Sequence, residues 1–95
     1  MTYIRLSIAR PRKGEDKRLE ELMRKLTELA AEQEGCTASY LLRPHDDSGE
    51  IARITVYTNE AAAEQAANNQ SVMAIRSEIH LITESGHDER AFFAI

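Results

Sequence analysis

Four glycines stand in this chain, at positions 14, 35, 49 and 86, and each falls at a junction between segments of regular apolar spacing. Between them the period switches from two to the helical value and back, so the order of elements is constrained before anything else is weighed. Ile4, Leu6 and Ile8 alternate with Tyr3, Arg5, Ser7 and Ala9, which predicts a strand over residues 2–10, ended by Pro11 and turned by Arg12-Lys13-Gly14. From Glu15 to about Gln33, Leu19, Leu22, Met23, Leu26, Leu29 and Ala30 make one helical stripe. Glu20 with Arg24 and Glu21 with Lys25 are supporting pairs four apart, and Gly35 takes the C-terminal glycine position.

Cys36–Arg43 and Glu50–Tyr57 read as strands joined by the polar turn His45-Asp46-Asp47-Ser48-Gly49, an antiparallel hairpin. Thr58 or Asn59 caps a helix over Glu60–Ala67, and Ser71 is a candidate cap for its continuation, striped by Val72, Ile75, Ile79 and Ile82. Gly86 breaks the chain, and Asp88–Ile95 reads as a last strand. The order β-α-β-β-α-β over residues 1–95 predicts a single α+β domain of ferredoxin-like type, with a four-stranded antiparallel sheet and two helices on one face.

One face of that sheet then lacks cover. Ile4, Leu6, Ile8, Ile54 and Val56 lie on one side; Tyr3, Ala9, Ile51 and Tyr57, mixed with Arg5, Ser7, Arg53 and Thr55, lie on the other. Neither set is as polar as a wetted face should be. A second copy, packed sheet to sheet, is the expected partner. A chain of 95 residues buries only about 65% of its unfolded surface, so such cover would also stabilise it. The net charge of -4 argues against a nucleic-acid footprint. No apolar run is long enough to span a bilayer, Arg5 and Arg10 interrupt any signal-like segment, and Cys36 is the sole cysteine. A cytoplasmic location and no membrane partner are expected.

From Gly35 to Val72 the chain resembles the antibiotic biosynthesis monooxygenase family of dimeric α/β-barrel proteins. The cues are Gly35-Cys36 after an amphipathic helix, Arg43 followed by Asp46-Asp47-x-Gly49-Glu50, Tyr57 closing the third strand, Asn59-Glu60-x-Ala62, and Val72; Lys13-Gly14 fits as well. The resemblance implies a homodimer closed through the open sheet face, a cavity between sheet and helices, and oxidation of a small aromatic or quinol by dioxygen without metal, flavin or other cofactor. Positions where related oxygenases carry Trp, Asn, Tyr and two His hold Tyr57, Arg53, Ala63, Ala66 and Ser71 here. The haem-degrading branch uses a strand-one Asn, aligned with Ser7, and its helix-two Trp and His have no counterpart, which disfavours haem degradation. A binding or stress-response dimer without catalysis is the alternative, and an isomerase or lyase ranks last because the pocket-facing strands show no carboxylate.

Arg53 and Tyr57 are the candidate catalytic residues, Arg53 holding a phenolate or enolate. Its structural alternative is an ion pair with a helix or partner carboxylate. Arg5, Ser7, Tyr40, Thr55 and His80 are the candidate pocket residues. A strand tyrosine more often packs its ring and leaves its hydroxyl at a rim, and His80 lies well around the helix from the Val72-Ile75-Ile79 stripe. His45-Asp46-Asp47 and His87-Asp88-Glu89 lack metal-ligand spacing, so no metal is expected. Cys36 reads as a small buried hydrophobe.

Overall fold

The computed structural model describes residues 1–84 and 88–95. The elements run β1 (Tyr3–Ala9), α1 (Asp16–Ala31), β2 (Cys36–Leu42), β3 (Ile51–Tyr57), α2 (Glu60–Ala67), α3 (Gln70–Ile82) and β4 (Asp88–Phe93). The strands form one antiparallel sheet in the order β2-β3-β1-β4. This is the expected ferredoxin-like fold, with the second helix divided in two. The break expected at Gly86, and His87 of the His-Asp-Glu run, lie outside the described residues.

Several boundaries differ from expectation for local reasons. Helix α1 ends at Ala31, so Gly35 does not occupy its C-terminal glycine position. Gly35 instead lies in the connection to β2, at φ +83°, where a Cβ would stand 2.6 Å from the Cβ of Ala62. Only glycine lets the chain turn there while α2 packs this close. Glu21 pairs with Arg18 at 3.5 Å rather than with Lys25, whereas Glu20 does pair with Arg24. Asn59 caps α2 by accepting from the Ala62 amide. Asn69, not Ser71, caps α3: its Oδ1 accepts from the amides of Ser71 and Val72.

The core has two parts. Leu19, Leu22, Met23 and Leu26 from α1 pack with Ala9, Val72 and Ile79. Tyr3, Tyr57, Ala63 and Ala66 form a second group at the other end of the sheet. Helix α1 lies over β2 and β3, and α3 packs chiefly on α1 rather than on the sheet. Ser39 Oγ donates to the Thr27 carbonyl at 2.7 Å and ties β2 to α1. Space is thereby left between α3 and the β1–β4 side of the sheet.

The register decides which sheet face is which. Residues directly opposite across an antiparallel pair share a face. Tyr3 faces Tyr57, Arg5 faces Thr55, Ser7 faces Arg53 and Ala9 faces Ile51. Tyr3, Ala9, Thr55 and Tyr57 are buried under the helices, so this mixed polar set is the covered one. The more apolar set, Ile4, Leu6, Ile8, Ile54 and Val56, lies on the open side with Tyr40, Leu42 and Phe92.

Candidate functional site

The space under α3 is a cavity of about 280 Å³. Tyr3, Arg5 and Ser7 from β1, Arg53 from β3, Arg76 from α3 and Glu89 from β4 give it its chemistry. Two small hollows adjoin it. One, lined in part by Ser7, His80 and Glu89, points along α3; the other, lined in part by Arg5, Thr55, Tyr57 and Val72, points toward the tyrosine end. Arg53 and Arg76 line all three. The guanidinium groups are therefore the hub of the site.

Each side chain is there for a local reason. Arg5, Ser7, Arg53 and Thr55 are brought together because period-two alternation on two registered strands points all four at the helices. Arg76 follows Val72 by four residues and precedes Ile79 by three, so it shares the buried stripe of α3. Glu89 stands opposite Ser7, on the covered face of the edge strand.

Electrostatically the cavity is lined by four arginines, Arg5, Arg53, Arg76 and the exposed Arg90, against one carboxylate. Arg76 Nη2 lies 3.4 Å from both oxygens of Glu89, a long and partly exposed pair. The Arg5 guanidinium stands over the Tyr3 ring, 5.6 Å from its centre, a cation–π contact. Tyr3 is held edge-on by Phe93, with ring centres 5.3 Å apart. Arg53 is the unusual member. Its Nη1 is buried and meets no hydrogen-bond partner among the described residues. Burial pushes its guanidinium below the ordinary value; Tyr57 and Glu89 oppose that shift, while Arg76 and Arg5 add to it. Arginine stays charged regardless, so a desolvated cation with an idle donor faces the cavity. A group in that state costs free energy until an acceptor arrives.

Arg53, Arg5 and Ser7 line the main cavity together, Thr55 and Tyr57 line the hollow beside it, and His80 lines the other hollow. Thr55 is 2% exposed and Tyr57 5%. Tyr40 is elsewhere. It stands opposite Ile54 on the open face and is 60% exposed. A bulge between Cys36 and Ala38 resets the alternation of β2, which sends Tyr40 away from the helices. Sequence reasoning missed Arg76 and Glu89. An arginine inside an apolar helical stripe was the signal for Arg76; Glu89 gave none, because the register of β4 is set by pairing with β1 and not by any nearby pattern. Cys36, expected to be buried, is only half-buried beside the tyrosine cluster, because it sits at the start of β2 next to the bulge. Burial pushes its thiol up, partly offset by its hydrogen bond to the Ala38 carbonyl.

Among the described residues, no helix is long and apolar enough to cross a membrane. A comparison by sequence with curated proteins found no match. By structure, Rv0793 from Mycobacterium tuberculosis is similar with a TM-score of 0.92 at 14% identity, over 100% of this chain and 96% of that one. A variant of SnoaB, a cofactor-independent oxygenase from Streptomyces nogalater, has a TM-score of 0.84 at 17% identity, over 98% and 92% of the two chains. PA3566 from Pseudomonas aeruginosa has a TM-score of 0.86 at 16% identity, over 99% and 94%. At these identities the likeness is one of fold. The family assignment comes from the sequence pattern of residues 2–77: the chain belongs to the antibiotic biosynthesis monooxygenase family.

Proposed function

We propose that this protein is a cofactor-independent monooxygenase that oxidises a small aromatic or quinol-type substrate with dioxygen, working as a homodimer closed through the open sheet face. The observation that carries the catalytic part is the idle, buried Nη1 of Arg53 at the junction of the three hollows. A phenol bound against it becomes more acidic, because a nearby cation favours the charged form. The resulting phenolate is the electron donor. One electron passes to dioxygen, the two radicals join at a ring carbon, and a hydroperoxide forms there. Loss of the ring C–H proton and cleavage of the O–O bond leave a carbonyl and release one water. A phenol and dioxygen thus give a quinone and water, with every atom placed. His80, in the hollow shared with Arg53 and Glu89, is the side chain assigned to take the ring proton. Thr55 and Tyr57 shape the inner end; Arg5 and Ser7 orient the ring. Tyr40 has no part in this, since it faces the other way.

Support for the dimer is the composition of the open face: Ile4, Leu6, Ile8, Ile54 and Val56 form its centre, and Tyr40, Leu42 and Phe92 add exposed apolar area. A contiguous apolar surface of this kind marks an interaction site.

The test is dioxygen uptake with a panel of quinols, anthrones and phenols in metal-free, flavin-free buffer. At least one should be consumed, and Arg53→Met should slow that reaction by about 10²–10³-fold, as loss of a principal charge-stabilising donor does. No uptake with any of the panel, or equal rates for wild type and Arg53→Met, would overturn the oxygenase reading; binding without uptake would favour a binding protein.

A further inference from the structure

The charge of the cavity says more about its ligand than that it is an anion. Arg76 pairs with Glu89, and Arg90 is exposed and stands over the Phe92 ring, which leaves Arg5 and Arg53 as the two inner cations with no salt bridge to a described residue. They sit on one face of adjacent strands: Arg5 is opposite Thr55, and Arg53 is two residues before Thr55. Such diagonal positions are rooted about 7–8 Å apart, close enough for both arginine side chains to reach one small ligand. The Tyr3 ring, held by Phe93, lines the cavity on the far side of Arg5 from Arg53. At about 280 Å³ the cavity is at the small end of ligand pockets, which run from about 300 Å³ upward. One phenolate would neutralise one cation and leave the other without a counter-charge in the cavity.

We infer that the ligand of this cavity is a small aromatic dianion, with one acidic oxygen group on Arg53 and a second, a ring carboxylate, on Arg5. The inference rests on the anion-holding role of Arg53 proposed above and assigns Arg5 as a specificity-determining residue. The oxidised substrate is then a hydroxyaryl or quinol carboxylate rather than a neutral quinol.

Isothermal titration at one low ionic strength tests this with a ladder of probes: benzamide, benzoate, terephthalate and inorganic phosphate. Terephthalate should bind about tenfold or more tightly than benzoate, the worth of one further charge-assisted contact, and benzamide weakest of the three. Arg5→Met should weaken terephthalate by a larger factor than benzoate and so close the gap between them; Arg53→Met should weaken both. The wild-type ladder needs no variant, so a misfolded variant does not blunt the test. Terephthalate no tighter than benzoate, with benzoate still above benzamide, overturns the dianion and spares the anion-holding role. Both acids no tighter than benzamide overturns the two together. Phosphate as tight as terephthalate overturns the aromatic class.

Discussion

The two faces of the one sheet are built the wrong way round for a simple two-layer domain. The face beneath the helices carries Arg5, Ser7, Arg53 and Thr55 between its two tyrosines and its Ala9–Ile51 end. The face without helices carries Ile4, Leu6, Ile8, Ile54 and Val56. Water should have selected the opposite arrangement, because covered positions favour apolar groups and wetted positions polar ones. Both departures run in the same direction, and each points to something outside the single chain. A polar covered layer suits the ligand proposed above, and a greasy open layer suits the proposed second copy. The difference teaches that cover and hydrophobicity are separate variables, and a site is found where they disagree.

The largest expected effect belongs to the open face. Ile54 lies at the centre of β3, opposite Leu6 on one side and Tyr40 on the other. Ile54→Asp would place an unpaired carboxylate in a dimer seam, at a cost of about 3–5 kcal/mol. The dimer dissociation constant should rise by at least about a hundredfold. Sedimentation at micromolar concentration should find the wild type dimeric and the variant monomeric, with unchanged far-ultraviolet circular dichroism. A monomeric wild type would break the comparison, because the open face would then have no reason to be apolar.

On the covered face the expected sign is reversed. Arg53→Met removes a buried cation with an idle donor and keeps a chain of similar reach. The apo protein should gain about 1–3 kcal/mol, the cost commonly attached to an unsatisfied buried group, or several degrees in Tm for a domain this size. The pH dependence follows from the sign of the shift. Burial lowers the folded-state value of this guanidinium, so folding is penalised wherever the group is charged, and the penalty eases only at strongly alkaline pH. Across the neutral range the gain from Arg53→Met should therefore be flat. Thermal melts with and without benzoate separate this from a packing effect: the variant should melt higher when empty and should lose the benzoate-induced rise. A lower Tm at every pH would mean that Arg53 is structural cement and not a waiting ligand contact.

Much of this was legible in the sequence, and the illegible parts have a common cause. Alternation in β1 and β3 is regular, so Arg5, Ser7, Arg53 and Thr55 could be placed on one face, and the glycine junctions gave the element order. What alternation cannot reveal is which face the helices choose. That depends on how α1 and α3 pack, and here Leu19, Leu22, Met23 and Leu26 meet Ala9 rather than Ile8. Arg76 and Glu89 reach the cavity through tertiary placement, one from the roof and one from an edge strand. His80 was the reverse case: its helical position suggested a flank, yet it lines the hollow beside Arg53.

Tyr40 gives the smallest and sharpest test, because its placement rests on a single irregularity. Counted from Cys36 with strict alternation, Tyr40 would share the face of Cys36, which stands opposite Tyr57 under the helices. The bulge between Cys36 and Ala38 adds one residue and reverses the parity of all that follows in β2. Ser39 and Leu41 consequently face the helices, and Tyr40 faces out. Tyr40→Phe should then change benzoate affinity by less than about twofold and stability by no more than about 0.5 kcal/mol, as for a surface change touching no special feature. Tyr57→Phe, at the inner end of the covered face, should alter ligand affinity more than Tyr40→Phe does. If Tyr40→Phe weakened benzoate as much as Arg53→Met, β2 would have to run without its bulge, and the assignment of polar and apolar residues to the two faces would fail along that strand.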